Sequence, residues 1–309
     1  MATLQEIKGR ISSVKGTLKI TSAMKLVAAS KLHRAQQAIE AMRPYERQLQ
    51  GIMDALLRAG AKVPGADNAR VPGADGGRVA VVAIASNSSL CGGFNAQAIA
   101  KVKEVLADNP GAEVWSVGRK MAEAMRKAGY PSPENLNVLV EHSSYEASVA
   151  FAERLMKAFA DGAYSKVILV YNHFVSTAHQ TPVAEVFLGD LSASPERTGA
   201  SDLRGVIVSE AKKRPSETLL HSGVAPDYIV EPSAAELMEL LQPRLLKLKF
   251  HAAILDSIAS EHAARTVAMQ TATDNGEDLL AELNLMYNKG RQQRITSEIL
   301  DLAGGKVEE

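Results

Sequence analysis

An apolar repeat, with steps of alternately four and three residues, runs through the first 60 residues of the chain. This spacing places every member on one side of an α-helix, and it predicts a helix of roughly 55 residues, about 80 Å long. A single helix cannot bury such a side against itself, so the repeat also predicts a helical partner. Its members are Ile7, Ile11, Val14, Leu18, Thr21, Lys25, Ala28, Leu32, Ala35, Ile39, Met42, Glu46, Leu49, Met53 and Leu56.

Local signals mark the start and the interior of this helix. Thr3 and Glu6 have the spacing of a capping box, in which each side chain accepts a hydrogen bond from a backbone N–H of the first turn. Pro44 lacks a backbone N–H and is predicted to kink the helix. We therefore assign residues 1–60 to an N-terminal coiled-coil helix.

A linker rich in glycine and proline follows the helix. It contains the segment Val-Pro-Gly-Ala-Asp twice, at 63–67 and at 71–75. Two short copies of this composition are typical of a solvated loop and not of a repeat architecture. We assign residues 61–77 to this linker.

Short apolar runs alternate with helical patterns in the middle of the chain. This alternation predicts βαβ units and a parallel sheet covered on both faces, which we assign to a central α/β domain at 78–190. Residues 191–232 are predicted to form a loop and foot segment with one short strand at Gly205–Val208. The other predicted strands are Val79–Ala85, Val114–Val117, Val138–Val140, Val167–Tyr171 and Val183–Leu188, and the predicted helices cover about 95–108, 119–129 and 145–161.

A second long helix is predicted at 233–304. Ser233 and Glu236 form another capping box, Pro232 and Leu237 have the spacing of a hydrophobic staple, and Gly304-Gly305 is a C-terminal stop. The stretch 273–277 resembles a turn, but we expect the helix to continue through it, giving about 105 Å of helix.

The fold class follows from these parts. We predict an α/β protein with a long antiparallel coiled coil of N- and C-terminal helices and a central Rossmann-like domain with a mainly parallel sheet. Since the C-terminal helix is the longer one, its end is expected to project beyond the pair.

Composition excludes several classes of protein. Lys plus Arg and Asp plus Glu both number 35, which argues against binding of nucleic acid along the whole chain. The single cysteine, Cys91, excludes an intramolecular disulfide and a multi-cysteine metal cluster, and indicates a reducing compartment. The N-terminus lacks the apolar core of a signal peptide, and no uninterrupted stretch of 18 apolar residues occurs.

The loop at 86–95 is the main candidate for chemistry. It contains Gly92-Gly93 and leads from a predicted strand into a helix, so its backbone N–H groups could hold a phosphate. The alternative is a tight turn that only packs, which the absence of GxGxxG and Walker motifs favours. Cys91 lacks a catalytic signature, and the seven histidines are scattered, so a packed thiol and structural or surface histidines are the favoured interpretations.

The N-terminal helix is basic, with ten Lys or Arg and four acidic residues in its first 60 positions. This surplus could bind nucleic acid or an acidic protein ring, or it could be the solvated flank of a coiled coil. The polar groups Arg291, Gln292, Thr296 and Glu298 lie near the projecting end of the C-terminal helix. They are either solvated or contact points for a partner.

Five motifs resemble the gamma subunit of F-type ATP synthases. They occur in the family's order over nearly the whole chain, and several of them are specific. They are Ile20-Thr-Ser-Ala-Met-Lys-Leu-Val-Ala-Ala-Ser-Lys-Leu32, Leu90-Cys-Gly-Gly-Phe-Asn95, Ser260-Glu-His-Ala-Ala-Arg265, Thr273-Asp-Asn275 and Ile295-Thr-Ser-Glu-Ile-Leu-Asp-Leu-Ala-Gly304.

The resemblance implies a non-catalytic rotor shaft without cofactors or metals. In this family the paired helices stand inside a ring of alpha and beta subunits, and the central domain lies against the epsilon subunit and the membrane ring of c subunits. The implied location is peripheral, on the cytoplasmic face of the bacterial plasma (inner) membrane. We expect this location because Met1 immediately precedes the helix.

The resemblance also implies contact residues. Arg291 and Gln292 match positions that engage a beta loop, assisted by Thr296 and Glu298. The other implied contacts are Met24 and Lys25 with a beta loop, and Tyr228 and Glu231 with the c ring or epsilon at the foot.

Two other functions stay open on the residues alone. The first is a phosphate-ligand-binding α/β enzyme with helical dimerisation arms, which would bind nucleotide as an isolated chain. The second is a basic coiled-coil protein that binds nucleic acid with a steep salt dependence.

Overall fold

The computed structural model describes residues 3–58, 77–189, 230–231 and 233–304. These residues form six helices and four strands. The helices are α1 (Leu4–Arg58), α2 (Phe94–Asp108), α3 (Arg119–Lys127), α4 (Asn137–His142), α5 (Tyr145–Ala160) and α6 (Ala234–Gly304), and the strands are β1 (Arg78–Ile84), β2 (Glu113–Val117), β3 (Tyr164–Phe174) and β4 (Gln180–Leu188).

The first long helix has the start and length that its sequence predicts. The Thr3 backbone N–H donates to Glu6 Oε2 at 2.9 Å, and the Glu6 N–H donates to Thr3 Oγ1 at 3.3 Å, so the capping box is confirmed. α1 spans 55 residues and continues through Pro44. Every position of the apolar repeat is buried or half-buried, because this side of α1 faces other elements.

The helices α1 and α6 pack against each other in opposite directions. Leu4 lies against Gly290 and Leu18 lies against Gly276, so the contacts are 14 residues apart on each helix (4 to 18, and 276 to 290). Thr273 Oγ1 donates to Thr21 Oγ1 at 3.0 Å between the same two helices. The other end of the pair is closed by an apolar cluster of Leu49, Met53, Leu56, Met238, Leu245 and Leu248.

The predicted continuity of α6 through residues 273–277 is confirmed. An ideal Cβ at Gly276 would stand 2.7 Å from Leu18 Cδ2, which is too close for a carbon contact. The glycine therefore admits the Leu18 side chain between the two helices. Its turn-like sequence context reflects this packing and not a break in the helix.

The sheet has the order β2-β1-β3-β4. β1 is parallel to β2 and to β3, whereas β4 follows β3 directly and pairs with it antiparallel. The prediction of a mainly parallel sheet is confirmed. The Rossmann-like detail and the coiled-coil winding of the long helices stay predictions.

Helices cover both faces of the sheet. On one face, α5 and α6 pack on the strands, with Phe250 of α6 buried between Phe151 and Phe187 at ring-centroid distances of 5.6 and 5.7 Å. On the other face, α2 and α3 bury Val102 and Met121 against β1 and β3. The longest helix of the molecule is therefore also one wall of the central core.

The prediction of a strand at Val138–Val140 was wrong, since these residues lie in α4. A run of three apolar residues is too short to distinguish a strand from a helical turn. Leu136 and Leu139, three residues apart, are buried together, and Val138 is exposed. That spacing is helical.

Several predictions lie wholly or partly outside the described residues. They include the repeated Val-Pro-Gly-Ala-Asp segment, the strand at Gly205–Val208 and the staple between Pro232 and Leu237. The division into domains stays a prediction for the same reason. Within the described part, Ser233 Oγ accepts from the Glu236 N–H at 3.2 Å, as its half of the second capping box requires.

Candidate functional site

The carboxyl ends of β1 and β3 meet at the point where the chain switches from one side of β1 to the other. In doubly wound α/β folds, ligands bind in the crevice at such a switch point. The loop between β1 and α2 borders this crevice, and its own polar groups close it. Ser86 Oγ donates to Asn95 Oδ1 at 2.9 Å, and Asn95 Nδ2 donates to Cys91 Sγ at 3.2 Å.

Helix α6 fills the crevice from its open side. Ser260 Oγ donates to the Asn172 carbonyl oxygen at the end of β3 at 2.9 Å. Arg265 Nη2 donates to Ser88 Oγ at 2.8 Å and to the Ser89 carbonyl oxygen at 3.2 Å. A Cβ at Gly92 would lie 3.6 Å from Ala268 Cβ, in van der Waals contact. The chain's own helix thus packs on the loop and on the end of β3, and this favours the packed-turn interpretation of the loop.

Cys91 is part of this packing. The residue is buried, and its thiol lies among Ser86, Ser88 and Asn95. Burial raises the pKa of the Cys91 thiol, and the neighbouring Ser86 and Arg265 offset this only in part. Because the thiolate is the nucleophilic form, the environment opposes a catalytic role and agrees with a packed thiol.

A buried ion pair lies beneath the loop. Arg265 Nη1 and Glu261 Oε1 are 2.6 Å apart, one turn of α6 separates the two residues, and both side chains are at least nine-tenths buried. Burial raises the pKa of the Glu261 carboxyl, while Arg265 acts in the opposite direction. The guanidinium therefore joins a buried carboxylate on α6 to the β1–α2 loop.

His262 is buried beside this pair, and its Nδ1 has no hydrogen-bond partner. Burial, together with the nearby cations of Arg265 and Lys31, lowers the pKa of His262 to about 4. Between pH 6.5 and 4 the unfolded chain then binds more protons at this residue than the folded chain does. The contribution of neutral His262 to the free energy of unfolding is fully present above pH 6.5 and is lost as the pH falls towards 4.

We expect the free energy of unfolding to decrease by roughly 3 kcal/mol through His262 between pH 6.5 and 4. Urea unfolding of the purified chain and of His262→Gln across this range would measure it, since the variant should lose less stability on acidification. His142→Gln, at an exposed histidine, is the matched control and should follow the parent chain. Parallel pH profiles for the parent and His262→Gln would contradict the assignment.

In the described ranges 3–58, 77–189 and 230–304 without 232, no group of three or more His, Cys, Asp or Glu residues is arranged to hold a metal ion. None of the helices in this part of the chain combines the length and the apolarity that crossing a membrane requires.

The four contact residues predicted near the end of α6 lie together on one exposed segment. Arg291, Gln292, Thr296 and Glu298 are all exposed. Thr296 Oγ1 donates to the Gln292 carbonyl oxygen at 2.9 Å, and Arg294 Nε donates to Glu298 Oε1 at 3.0 Å. Since Gly290 packs against Leu4 at the start of α1, these residues lie beyond the paired part of α6.

Met24 and Lys25 lie on α1, away from the predicted contact residues at the end of α6, and both are half-buried. The neighbouring Thr21 pairs with Thr273, which is 18 residues before Arg291 (291 minus 273) on α6. At 1.5 Å per residue, roughly 30 Å of helix separates the two predicted contact sites. At the foot, Glu231 is exposed and Tyr228 lies outside the described residues.

Comparisons with known proteins place the whole chain in one family. A family model described as ATP synthase matches residues 3–307. A protein of Phocaeicola vulgatus named ATP synthase gamma chain is 44% identical over 312 residues, covering 99% of this chain and 100% of that protein. The chain belongs to the ATP synthase gamma chain family.

Solved structures of rotary ATP synthases share the fold. The chain is similar to a chain in the rotor of the Euglena gracilis mitochondrial ATP synthase, with a TM-score of 0.61, 18% identity and coverage of 94% of this chain and 98% of that one. It is also similar to a chain in the central stalk and c ring of the Tetrahymena thermophila enzyme, with a TM-score of 0.54, 23% identity and coverage of 82% and 99%.

Sequence reasoning missed two rows of exposed apolar side chains beside the predicted contacts of this gamma-family chain. On α6, Ile295, Ile299 and Leu302 are all exposed, and on α1 the exposed Ile20 and Val27 flank the half-buried Met24. Each row has the spacing i, i+4, i+7, which places its members on one helical face. The spacing was readable in the sequence, but whether a face is covered by the chain itself depends on the packing of both helices.

Proposed function

We propose that the chain is the central-stalk subunit, or rotor shaft, of an F-type ATP synthase. In this role it couples proton-driven rotation of the membrane c ring to ATP synthesis or hydrolysis at sites on the beta subunits, and it holds no catalytic site itself. One observation carries the proposal. α6 extends beyond its pairing with α1 as a bare helix whose apolar row is exposed, with Leu302 at 75% exposure.

An isolated helix with such a row would be poorly soluble, so the row is expected to lie against other proteins. A ring of alpha and beta subunits would surround this end of α6 and the Ile20–Val27 region of α1. The long helices would wind as a coiled coil between the ring and the central domain. The central domain and the foot residues Tyr228 and Glu231 would face the epsilon subunit and the c ring.

The mechanism follows from symmetry. Three beta subunits with one sequence can adopt different affinities for nucleotide only if something asymmetric contacts them differently. A 10⁴-fold difference in affinity requires about 5.5 kcal/mol of differential contact energy. The shaft must supply this difference and still release each beta subunit as it turns.

The exposed residues at the end of α6 suit that requirement. Apolar rows allow sliding because apolar contact is non-directional. Arg291 and Gln292 would donate hydrogen bonds to an acidic beta loop, with Thr296 and Glu298 assisting, and such bonds break as the loop swings away. The complex, and with it this chain, would lie peripherally on the cytoplasmic face of the bacterial plasma membrane.

Co-purification tests the proposed function. Affinity purification of the chain from its host membranes should recover alpha, beta, epsilon and c subunits in one ATP-hydrolysing complex. The isolated chain should bind neither ATP nor ADP, because α6 fills the crevice of the α/β domain. Nucleotide binding by the isolated chain without companion subunits would instead favour the enzyme alternative, and steeply salt-dependent DNA binding would favour a nucleic-acid protein.

Met24→Lys should impair coupling in the assembled complex. The lysine would place a charge in the apolar row between Ile20 and Val27, where it can bind an acidic beta loop and hold the shaft. We expect ATP-driven proton pumping in inverted membrane vesicles to decrease at least fivefold relative to ATP hydrolysis. Ser22→Lys adds the same charge at an exposed position off the row and should pump normally. Normal pumping by Met24→Lys would rule out this contact.

A further inference from the structure

We infer that Arg265 clamps the central domain to α6 and that this clamp carries torque between the two. The inference rests on the proposed function as a rotor shaft. It starts from three polar residues that follow one another along α6, namely Asp256, Ser260 and Arg265. Each of them bonds to the end of a strand or to the loop that follows it.

The three residues hold successive points at the carboxyl edge of the sheet. Asp256 pairs with His173 and accepts from the Phe174 backbone N–H at 3.1 Å. Ser260 bonds to the Asn172 carbonyl oxygen at 2.9 Å. Arg265 is the last of the three, and further along α6 the polar contact of Thr273 is with Thr21 of α1. Arg265 therefore lies where the helix leaves the domain and continues as part of the shaft.

Torque demands contacts that resist rotation and sliding. The apolar contacts of Phe250 and its neighbours hold the helix on the sheet, but apolar contact has no preferred direction. Hydrogen bonds are directional, and those with a charged donor are the strongest of them. A directional contact between helix and domain is the kind that transmits twist.

Arg265 has the geometry of such a contact. One branch of its planar guanidinium is held by Glu261 on the same helix at 2.6 Å, and the other reaches the loop at Ser88 Oγ at 2.8 Å and the Ser89 carbonyl oxygen at 3.2 Å. The residue is 8% exposed, so water does not compete for these bonds. Buried ion pairs often add little stability over apolar replacements. We therefore infer that this pair serves to hold the guanidinium in place for its contact with the loop.

The test compares loaded with unloaded rotation in the assembled complex. The double variant Glu261→Gln/Arg265→Gln removes both charges and the bonds from the Arg265 guanidinium to Glu261 and to the loop. It leaves no buried charge unpaired. In inverted membrane vesicles, ATP hydrolysis with a protonophore should stay within about twofold of the parent, whereas ATP synthesis should decrease at least tenfold. Equal synthesis in variant and parent would overturn the clamp, as would a parallel decrease of both activities in proportion to assembled complex.

Two further variants calibrate the result. Arg119→Gln/Glu123→Gln removes an exposed Arg–Glu pair on α3 and should leave synthesis unchanged. Ser88→Ala removes one of the two loop acceptors and keeps the ion pair and the bond to the Ser89 carbonyl oxygen, and we expect a two- to threefold loss of synthesis at constant hydrolysis. If the double variant fails to assemble, Ser88→Ala decides the question, because unchanged synthesis there would contradict the clamp.

A covalent clamp should rescue the variant. Cysteines at Gly92 and Ala268, with Cys91→Ser to remove the native thiol, would have Cβ atoms about 3.6 Å apart, within the range for a disulfide. Oxidation of the two thiols by diamide, which is reduced to its hydrazine, should restore synthesis in Glu261→Gln/Arg265→Gln to within about twofold of the parent. Dithiothreitol should abolish the rescue. If the crosslinked variant still does not synthesise ATP, the inference is contradicted.

Failure of this inference is distinguishable from failure of the proposed function. If the chain is not a rotor shaft, the unsubstituted chain neither assembles with alpha and beta subunits nor supports ATP synthesis. If only the clamp is wrong, the unsubstituted complex is active and the double variant behaves like it.

Discussion

Gly118→Ala should destabilise the chain by at least about 3 kcal/mol, one of the two largest effects that we expect. Gly118 links β2 to α3 with φ at +99°, a conformation that L-residues rarely adopt. A Cβ there would stand 2.2 Å from the Ala85 carbonyl oxygen and 2.8 Å from its carbonyl carbon. Backbone must move to relieve this overlap, and the backbone that moves leads into the loop held by Arg265.

Gly129→Ala is the matched control for backbone strain. Gly129 also has a positive φ, +89°, but a Cβ at this position would meet nothing within 4 Å. Its substitution should cost only about 1–2 kcal/mol. Urea unfolding of both variants separates the cost of backbone strain, which both share, from the cost of the steric overlap with Ala85, which only Gly118→Ala has. Equal losses of stability would show that the overlap with Ala85 is unimportant.

Phe250→Ala should lower the free energy of unfolding by about 4 kcal/mol. Phe250 is fully buried and packs against Phe151 and Phe187, so truncation leaves a cavity between α6, α5 and the sheet. Since α6 is both the shaft and a wall of the core, the same cavity should loosen the domain on the shaft. Chemical denaturation measures the loss, and hydrogen exchange of β3 reports the loosening.

Leu240→Ala on the same helix is the control for Phe250→Ala. Leu240 is an exposed apolar residue, and its truncation should change stability by no more than about 0.5 kcal/mol. A change at Leu240 as large as that at Phe250 would mean that helix propensity, and not the core contact, sets the cost.

Much of the fold could be predicted because its signals are local. The repeat in α1 predicted the buried side of that helix, and the capping pair Thr3 and Glu6 predicted its first turn. The prediction of a strand at Val138–Val140 was wrong because three residues are too few to show a periodicity. The contact residues at the end of α6 were predicted as exposed polar groups, and they are exposed. Their partners are proposals, since those contacts would be made with other chains.

The sequence by itself determined two long helices, a mainly parallel sheet between them and the motifs of the gamma family. Each of these depends on the spacing of residues that are close in the sequence, and this spacing determines secondary structure directly. Only the tertiary structure decided that α6 fills the crevice of the α/β domain and that Arg265 reaches Ser88, 177 positions earlier in the chain. Contacts of that separation depend on how whole elements pack, and no local pattern encodes them.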